Sequence, residues 1–363
     1  MRGRNLVAAA AVAGLLGAAA CKTLPKPVTL ADWIQLARTG RDAALVAQNL
    51  EAQKARCDAI AREPVAFEEE KAIGGSVAVR WVQQTGGLMV DVPAGKLTNE
   101  LRQVRPADLA ENPSRDVTRY LNRVGKNLAA QSARPGLEWT FGVLRSDAVN
   151  ASSTPGGYVF VTRGLLRLVD NEAQLAAVLG HEIAHVTERH ALNEYRKQKA
   201  AVCQRAFVNA LSEATGANEA LHREAEKLAL GFDKAMGKGA SAFIDLDDAQ
   251  ANLGALVGLA DALADRLDAA GLSNAEELAA DKLGAELALN AGYNPHEFAK
   301  LLAKLPQTRL TYAHHPTAAQ RVTELNAWLA ALAPKDDPFG RADWPFDDYP
   351  KVALGKELDS VRK

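Results

Sequence analysis

His181-Glu182-Ile183-Ala184-His185 sets two imidazoles four residues apart with a carboxylate between them. On an α-helix, residues four apart lie one above the other, so both rings leave the same side. Two neutral ring nitrogens at that separation can chelate one zinc ion. Glu182 lies about 100° round the helix from His181, near the open side of such a metal, where its carboxylate can deprotonate a water. A third ligand follows downstream in Glu276-Glu277-Leu278-Ala279-Ala280-Asp281. Glu277 and Asp281 share a helix face, which suits an anionic oxygen ligand and an acceptor for a ligand histidine's second ring nitrogen. Glu276 is the rival ligand, but no carboxylate stands four residues beyond it. Two histidines and one glutamate leave one position of a four-coordinate zinc for water, a pattern of hydrolytic rather than structural sites. A tetrahedral oxyanion also needs a donor or cation, and His314-His315-Pro316 with Arg321 is the candidate stretch, His315 favoured over His314 by its proline neighbour. His190 lies about 140° round from His185 on a continuous helix, so it reads as a surface or packing residue. The three-histidine spacing of the other large zinc class is not met.

These side chains need helices to aim them. The run Ala173 to Gly180 favours a helix entering the histidine pair, with Asp170 or Asn171 as cap and Glu172 near its positive end. Ser273 can cap the helix that bears Glu277, while Ala280 and Gly284 are small enough for close packing against the first. Asp116 to Ala130 has a helical apolar face; Leu137 to Leu144 and Tyr158 to Val161 read as strands, the second introduced by Pro155-Gly156-Gly157. Further upstream, Ser76 to Val82 and Leu88 to Val92 flank Thr85-Gly86-Gly87 and predict a hairpin. Helices are expected again over 295–305 and 317–332, before a Pro/Asp-rich tail over 333–363. The fold class expected is α+β, mostly helical, with a small sheet bordering the cleft. An Ala/Leu-rich insertion over about 201–271, broken at Gly237 to Ser241, is either a helical hairpin over the cleft or a scaffold extension.

The 363 residues carry 24% charged side chains and a net charge of -1, which leaves no electrostatic footprint for nucleic acid. Arg2 and Arg4 precede an apolar run from Leu6 to Ala20 that ends in Ala18-Ala19-Ala20-Cys21. The run is short for a membrane span; its basic front and small-residue end fit an export signal over 1–20. Small residues before a cysteine resemble a bacterial lipobox, with Cys21 lipidated as the mature N-terminus and Lys22 directing it to the outer membrane. Plain secretion and retention as a short anchor are the other readings. Residues 22–114 are expected to form a helical and hairpin region. Cys57 and Cys203 form either one disulfide or two buried thiols; spacing does not separate these.

Asn150-Ala151, Pro155 to Leu166, Asn171-Glu172 through His190, Glu277 to Gly284 and Ala291 to Pro295 together resemble peptidase family forty-eight. That family holds the HtpX-like, CAAX-prenyl-protease-like and mitochondrial inner-membrane stress peptidases, and the likeness is closer to its periplasmic, often lipidated branch. The resemblance implies a gluzincin metallopeptidase domain over 115–332. It implies zinc on His181, His185 and Glu277, Glu182 as catalytic base, and Asp281 orienting a ligand histidine. His315 and Arg321 would join the catalytic machinery, His315 in some members occupying the metal's open position and holding the enzyme latent. Tyr158, Val159, Phe160 and Val161 would be an edge strand that an extended substrate extends. The insertion departs from the compact members, and the long helical-repeat tail of some periplasmic relatives is missing. The expected function is zinc-dependent cleavage of unfolded or misassembled envelope proteins at the periplasmic face of the outer membrane, with an assembly partner there. The rivals are a latent or inactive scaffold, which intact Glu182 argues against, and a zinc hydrolase of another amide or ester.

Overall fold

The structure is a computed structural model that describes residues 55, 57–89, 113–214, 249–306, 316–332 and 350–362. The chain divides into two compact units, residues 1–64 with 196–255, and residues 65–195 with 256–363. In the first, Cys57 and Cys203 are joined by a disulfide, and Gln204 Nε2 donates to Asp58 Oδ1. Of the two readings open to the cysteines, the structure takes the disulfide. Cys21, the apolar run before it, His314, His315 and the tail over 333–349 lie outside the described residues.

The second unit carries the candidate site. In chain order the elements are α1 (Phe67–Gln84), α2 (Pro113–Ala130), β1 (Thr140–Leu144), β2 (Ala151–Thr154), β3 (Tyr158–Thr162), α3 (Arg163–Leu168), α4 (Glu172–Thr187), α5 (His190–Ala214), α6 (Ala249–Ala270), α7 (Asn274–Asn290), α8 (His296–Lys304), α9 (Ala318–Leu332) and α10 (Asp359–Arg362). The far part of α5 and the start of α6 belong to the first unit. The fold is α+β, mostly helical with one three-stranded sheet of order β1-β3-β2. β1 pairs parallel with β3, from Thr140 opposite Tyr158 to Leu144 opposite Thr162. β2 pairs antiparallel with β3, from Ala151 opposite Val161 to Thr154 opposite Tyr158. The connection between them turns at Gly156 and Gly157, both in the left-handed region (φ 80 and 93), which glycine enters at little cost.

α4 is the axis of this unit. Every residue from Ala173 to Thr187 is buried, as expected of a helix covered on all sides. Leu175, Leu179 and Ile183 share its core with Leu121 and Leu128 of α2, Val159 and Val161 of β3, and Leu301 of α8. Its first turn is tied down in several ways. Asn171 Oδ1 accepts from Gln174 N at 2.9 Å, the side-chain cap such a terminus requires. Glu172 N and Ala173 N donate to the carbonyls of Val352 and Lys351. The Glu172 carboxylate accepts from Tyr293 Oη at 2.7 Å and from Tyr120 Oη. These bonds hold the front of the helix two to three turns before the histidine pair.

The hairpin predicted across 74–92 is overturned: residues 67–84 are helix α1. The alternating run Ser76 to Val82 imitates a strand, but the buried positions Ile73, Gly74, Val77, Ala78 and Trp81 follow helical spacing. Glu68, Glu69 and Glu70 fill its first turn, where carboxylates favour the helix dipole. Tertiary burial therefore decides against the weak β preference of its valines. α1 also clamps the β2–β3 turn. Glu70, 3% exposed, accepts a fork from Arg134 at 2.8 Å for both bonds and the amide of Gly156 at 3.0 Å. A Cβ at Gly74 would meet the Pro155 carbonyl oxygen at 1.7 Å. Among the described residues no helix is long and apolar enough to cross a membrane.

Candidate metal centre and cleft

α4 and α7 cross where each has a glycine. A Cβ on Gly180 would lie 2.6 Å from the Gly284 carbonyl oxygen, and one on Gly284 would lie 2.5 Å from His181 N. Only bare backbone lets the two helices approach this closely. α7 begins in a capping box: Ser273 Oγ accepts from Glu276 N at 3.3 Å while Glu276 Oε2 accepts from Ser273 N at 2.8 Å. Glu276 is thus engaged at the helix end. One residue on, Glu277 turns inward and is 2% exposed.

Three donor groups meet there. His181 Nε2 stands 3.0 Å from His185 Nε2. Glu277 places Oε2 3.7 Å from the first nitrogen and Oε1 3.6 Å from the second. Among the described residues, His181, His185 and Glu277 are the one group of three or more whose ligand atoms could hold a metal ion. Donors about 2.0–2.2 Å from a tetrahedral zinc stand about 3.3–3.6 Å apart, and the three separations bracket that range. The residues present therefore fit the metal.

The electrostatics are uneven across the two rings. His181 Nδ1 lies 3.0 Å from Asp281 Oδ1, a charge contact rather than an aligned hydrogen bond. Burial works to lower the His181 ring, but Asp281 overcomes it and holds the ring above its ordinary value. His185 is pushed down to about 3 by burial and by the neighbouring His181, so it is a neutral ring. Asp281, 1% exposed, would be driven up by burial; Arg321 reverses this and keeps it ionised. Arg321 Nε donates to Asp281 Oδ2 at 2.8 Å and its terminal nitrogen donates to Oδ1. Burial pushes the Glu182 carboxyl above the usual carboxylate range, against the pull of His181 and the Ser153 side chain.

A cleft of about 440 Å³ opens over these groups. His181, Glu182, His185, Glu277 and Arg321 line it, and residues 148–155, which include all of β2, form one side. This corrects the substrate-strand expectation. Tyr158 to Val161 belong to β3, the central strand, whose backbone is paired on both sides. Among the described residues β2 is one of the two edge strands, and it lines the cleft. The sequence pattern missed this because β2 reads Ala-Ser-Ser-Thr, without the apolar alternation by which strands are recognised.

His190 was also missed. It is buried, and its Nδ1 lies 2.8 Å from His185 Nδ1. The 140° estimate presumed a continuous helix, whereas α4 stops at Thr187 and a new helix starts at His190. Trp81 is a third omission. It lines the cleft, and its Nε1 donates to Asp268 Oδ1 at 3.1 Å; the hairpin reading had placed it elsewhere. No signal in the local sequence identifies these partners, because each depends on a contact distant in the chain or on a helix break.

The site-bearing sequence matches known proteins. The profile of Peptidase family M48 matches residues 115–329. The chain is 37% identical over 100 residues to the beta-barrel assembly-enhancing protease of Yersinia pestis, covering 27% of this chain and 20% of that one. With the Escherichia coli K12 protein of the same name it shares 36% over 100 residues, at the same coverage. With the mitochondrial metalloendopeptidase OMA1 of Schizosaccharomyces pombe it shares 41% over 86 residues, 24% of this chain and 26% of that one. The matched stretch thus spans about a quarter or less of these relatives. The buried His-His-Glu group lies inside the family match, which covers more than half of the chain, and the protein belongs to peptidase family M48, a family of metallopeptidases.

Proposed function

We propose that the chain is a zinc-dependent endopeptidase that cleaves unfolded or misassembled proteins of the bacterial envelope, with Glu182 as general base. The observation that carries this is the convergence of His181, His185 and Glu277, at zinc-like separations, beneath the free edge of β2. Zinc held by these three residues supplies a Lewis acid that polarises a carbonyl and acidifies water. Glu182 takes the proton of the attacking water and delivers it to the leaving amine. The raised proton affinity that burial gives its carboxyl suits a group that must hold a proton between those two events. β2 binds an extended segment by main-chain hydrogen bonds, a mode that demands backbone accessibility more than a particular sequence. Val149, Leu165, Phe298, Leu301 and Leu302 line the cleft and offer apolar side chains a dry wall, such as unfolded chains expose.

The envelope location rests on the export-signal pattern over 1–20 and on Cys21 as lipid anchor at the periplasmic face of the outer membrane. Relatives named for enhancing β-barrel assembly support it, and on the same reading the chain works beside an assembly partner there. A mature N-terminus whose mass lacks acyl chains would remove the anchor.

The test of the catalytic reading compares wild type with Glu182→Gln on a dye-labelled unfolded protein, with bound zinc measured in both. Zinc retention in both and a cleavage rate lower by about 10²–10⁴-fold in the variant are expected. Equal cleavage by the two proteins would reject Glu182 as base, and retained zinc without cleavage by either would favour a latent scaffold.

A further inference from the structure

We propose that His190 is a positioning residue for the metal, accepting the Nδ1 proton of His185 and so fixing that ligand's tautomer and ring plane; this rests on the zinc reading above. His185 points Nε2 at His181 and Glu277. Its other nitrogen lies 2.8 Å from His190 Nδ1. A neutral imidazole has one proton, and a nitrogen that donates its lone pair to a metal does not carry it. The His185 proton therefore sits on Nδ1. Across 2.8 Å one nitrogen must donate and the other accept, so His190 presents a bare Nδ1 and keeps its own proton on Nε2.

The backbone is shaped for this contact. α4 ends at Thr187, and Arg189 takes a left-handed conformation (φ 58), which is uncommon outside glycine, asparagine and aspartate. That single residue resets the register, so that the first residue of α5 turns back towards a ligand on α4. A continuous helix would carry His190 away from it.

The chemistry of the acceptor matters too. His181 faces a carboxylate, Asp281, whereas His185 faces a neutral ring. An anionic partner on His185 as well would add a further negative charge to a buried site that already contains Glu277 and Asp281. A neutral acceptor orients His185 without further weakening the metal as an electrophile.

The test uses the full chain as wild type, His190→Asn and His190→Phe. Phenylalanine keeps a ring but offers no acceptor; the asparagine side-chain oxygen can stand close to the position of Nδ1. Zinc dissociation constants would be measured against a chromogenic chelator, with the visible spectrum of the cobalt-substituted proteins and thermal unfolding of the zinc-free proteins. Expected are a zinc affinity lower by about 10–100-fold and an altered cobalt spectrum in His190→Phe. His190→Asn should stay within about threefold of wild type, between no loss and the smallest effect of a lost orienting partner, and all three zinc-free proteins should unfold together. Wild-type affinity and spectrum in His190→Phe would overturn the positioning role alone. Equal losses in both variants would also overturn it, because an accepting oxygen would then not suffice. A wild-type chain that takes up no zinc would instead overturn the metal reading beneath it. Arg189→Gly should keep the wild-type affinity, since glycine enters the same conformation freely.

Discussion

Asp281 serves two neighbours at once. One oxygen lies against His181, and both accept from Arg321, so a fully buried carboxylate stays charged where a metal ligand needs a basic partner. Removing the arginine leaves that charge uncompensated. Arg321→Ala should therefore cost about 3–5 kcal/mol, read as a lower denaturation midpoint, and should weaken zinc. Arg321→Lys should recover little, because an ammonium cannot form the two-point fork. Unchanged stability and zinc content with lost cleavage would return Arg321 to the oxyanion role the sequence suggests. At this scale the sequence reveals what one helix can encode. His181 and His185 share a single turn-to-turn spacing with Glu182 directly after the first, and Glu277 with Asp281 repeats that spacing. His190 and the Arg321 fork were not legible, because the first depends on a break after Thr187 and the second on a helix forty residues further on.

The two ligand helices are held by their glycines. Gly284→Ala would drive a methyl group towards His181 N and the backbone beside it, at about 1–3 kcal/mol of overpacking. Separation of α4 from α7 draws Glu277 away from both imidazoles, so zinc affinity should fall along with stability. A variant that loses stability yet binds zinc as tightly as wild type would show that the crossing does not set the ligand geometry. At the entry to α4, burial works to raise the Glu297 carboxyl, but Lys300, Asn171 and Gln174 overcome this and hold it at about 2. Its folded value thus lies below the ordinary 4.5 of a glutamate, so its contribution is present above about pH 4.5 and is lost as pH falls towards 2. The stability difference between wild type and Glu297→Gln should shrink across that window and stay flat above it, as acid-dependent unfolding by urea would show. Element positions were readable where periodicity was strong, as in α2, or where a cap and ligand spacing marked a helix, as in α4 and α7. They failed at α1, where valines alternate by chance, and at β2, a short polar strand that lacks a pattern although it lines the cleft.

At the scale of the molecule, the family match covers the site-bearing stretch, and the relatives extend well beyond what aligns. The candidate metal ligands themselves all lie within one compact unit. The other unit makes a prediction of its own. Cys57 and Cys203 close a loop of 146 residues in sequence separation, and Cys203→Ser should lower stability by up to about 5 kcal/mol. A peptide map of unreduced protein should contain the Cys57–Cys203 pair; free thiols at both positions would contradict it. The account as a whole turns on one metal shared by two distant helices. X-ray absorption at the zinc edge of the loaded full chain tests it most directly. One zinc per chain with two imidazole nitrogens and oxygen donors, the imidazole signal falling when His185 is replaced, is the predicted result. Zinc that is substoichiometric, or that keeps an identical first shell after loss of either His185 or Glu277, would contradict it.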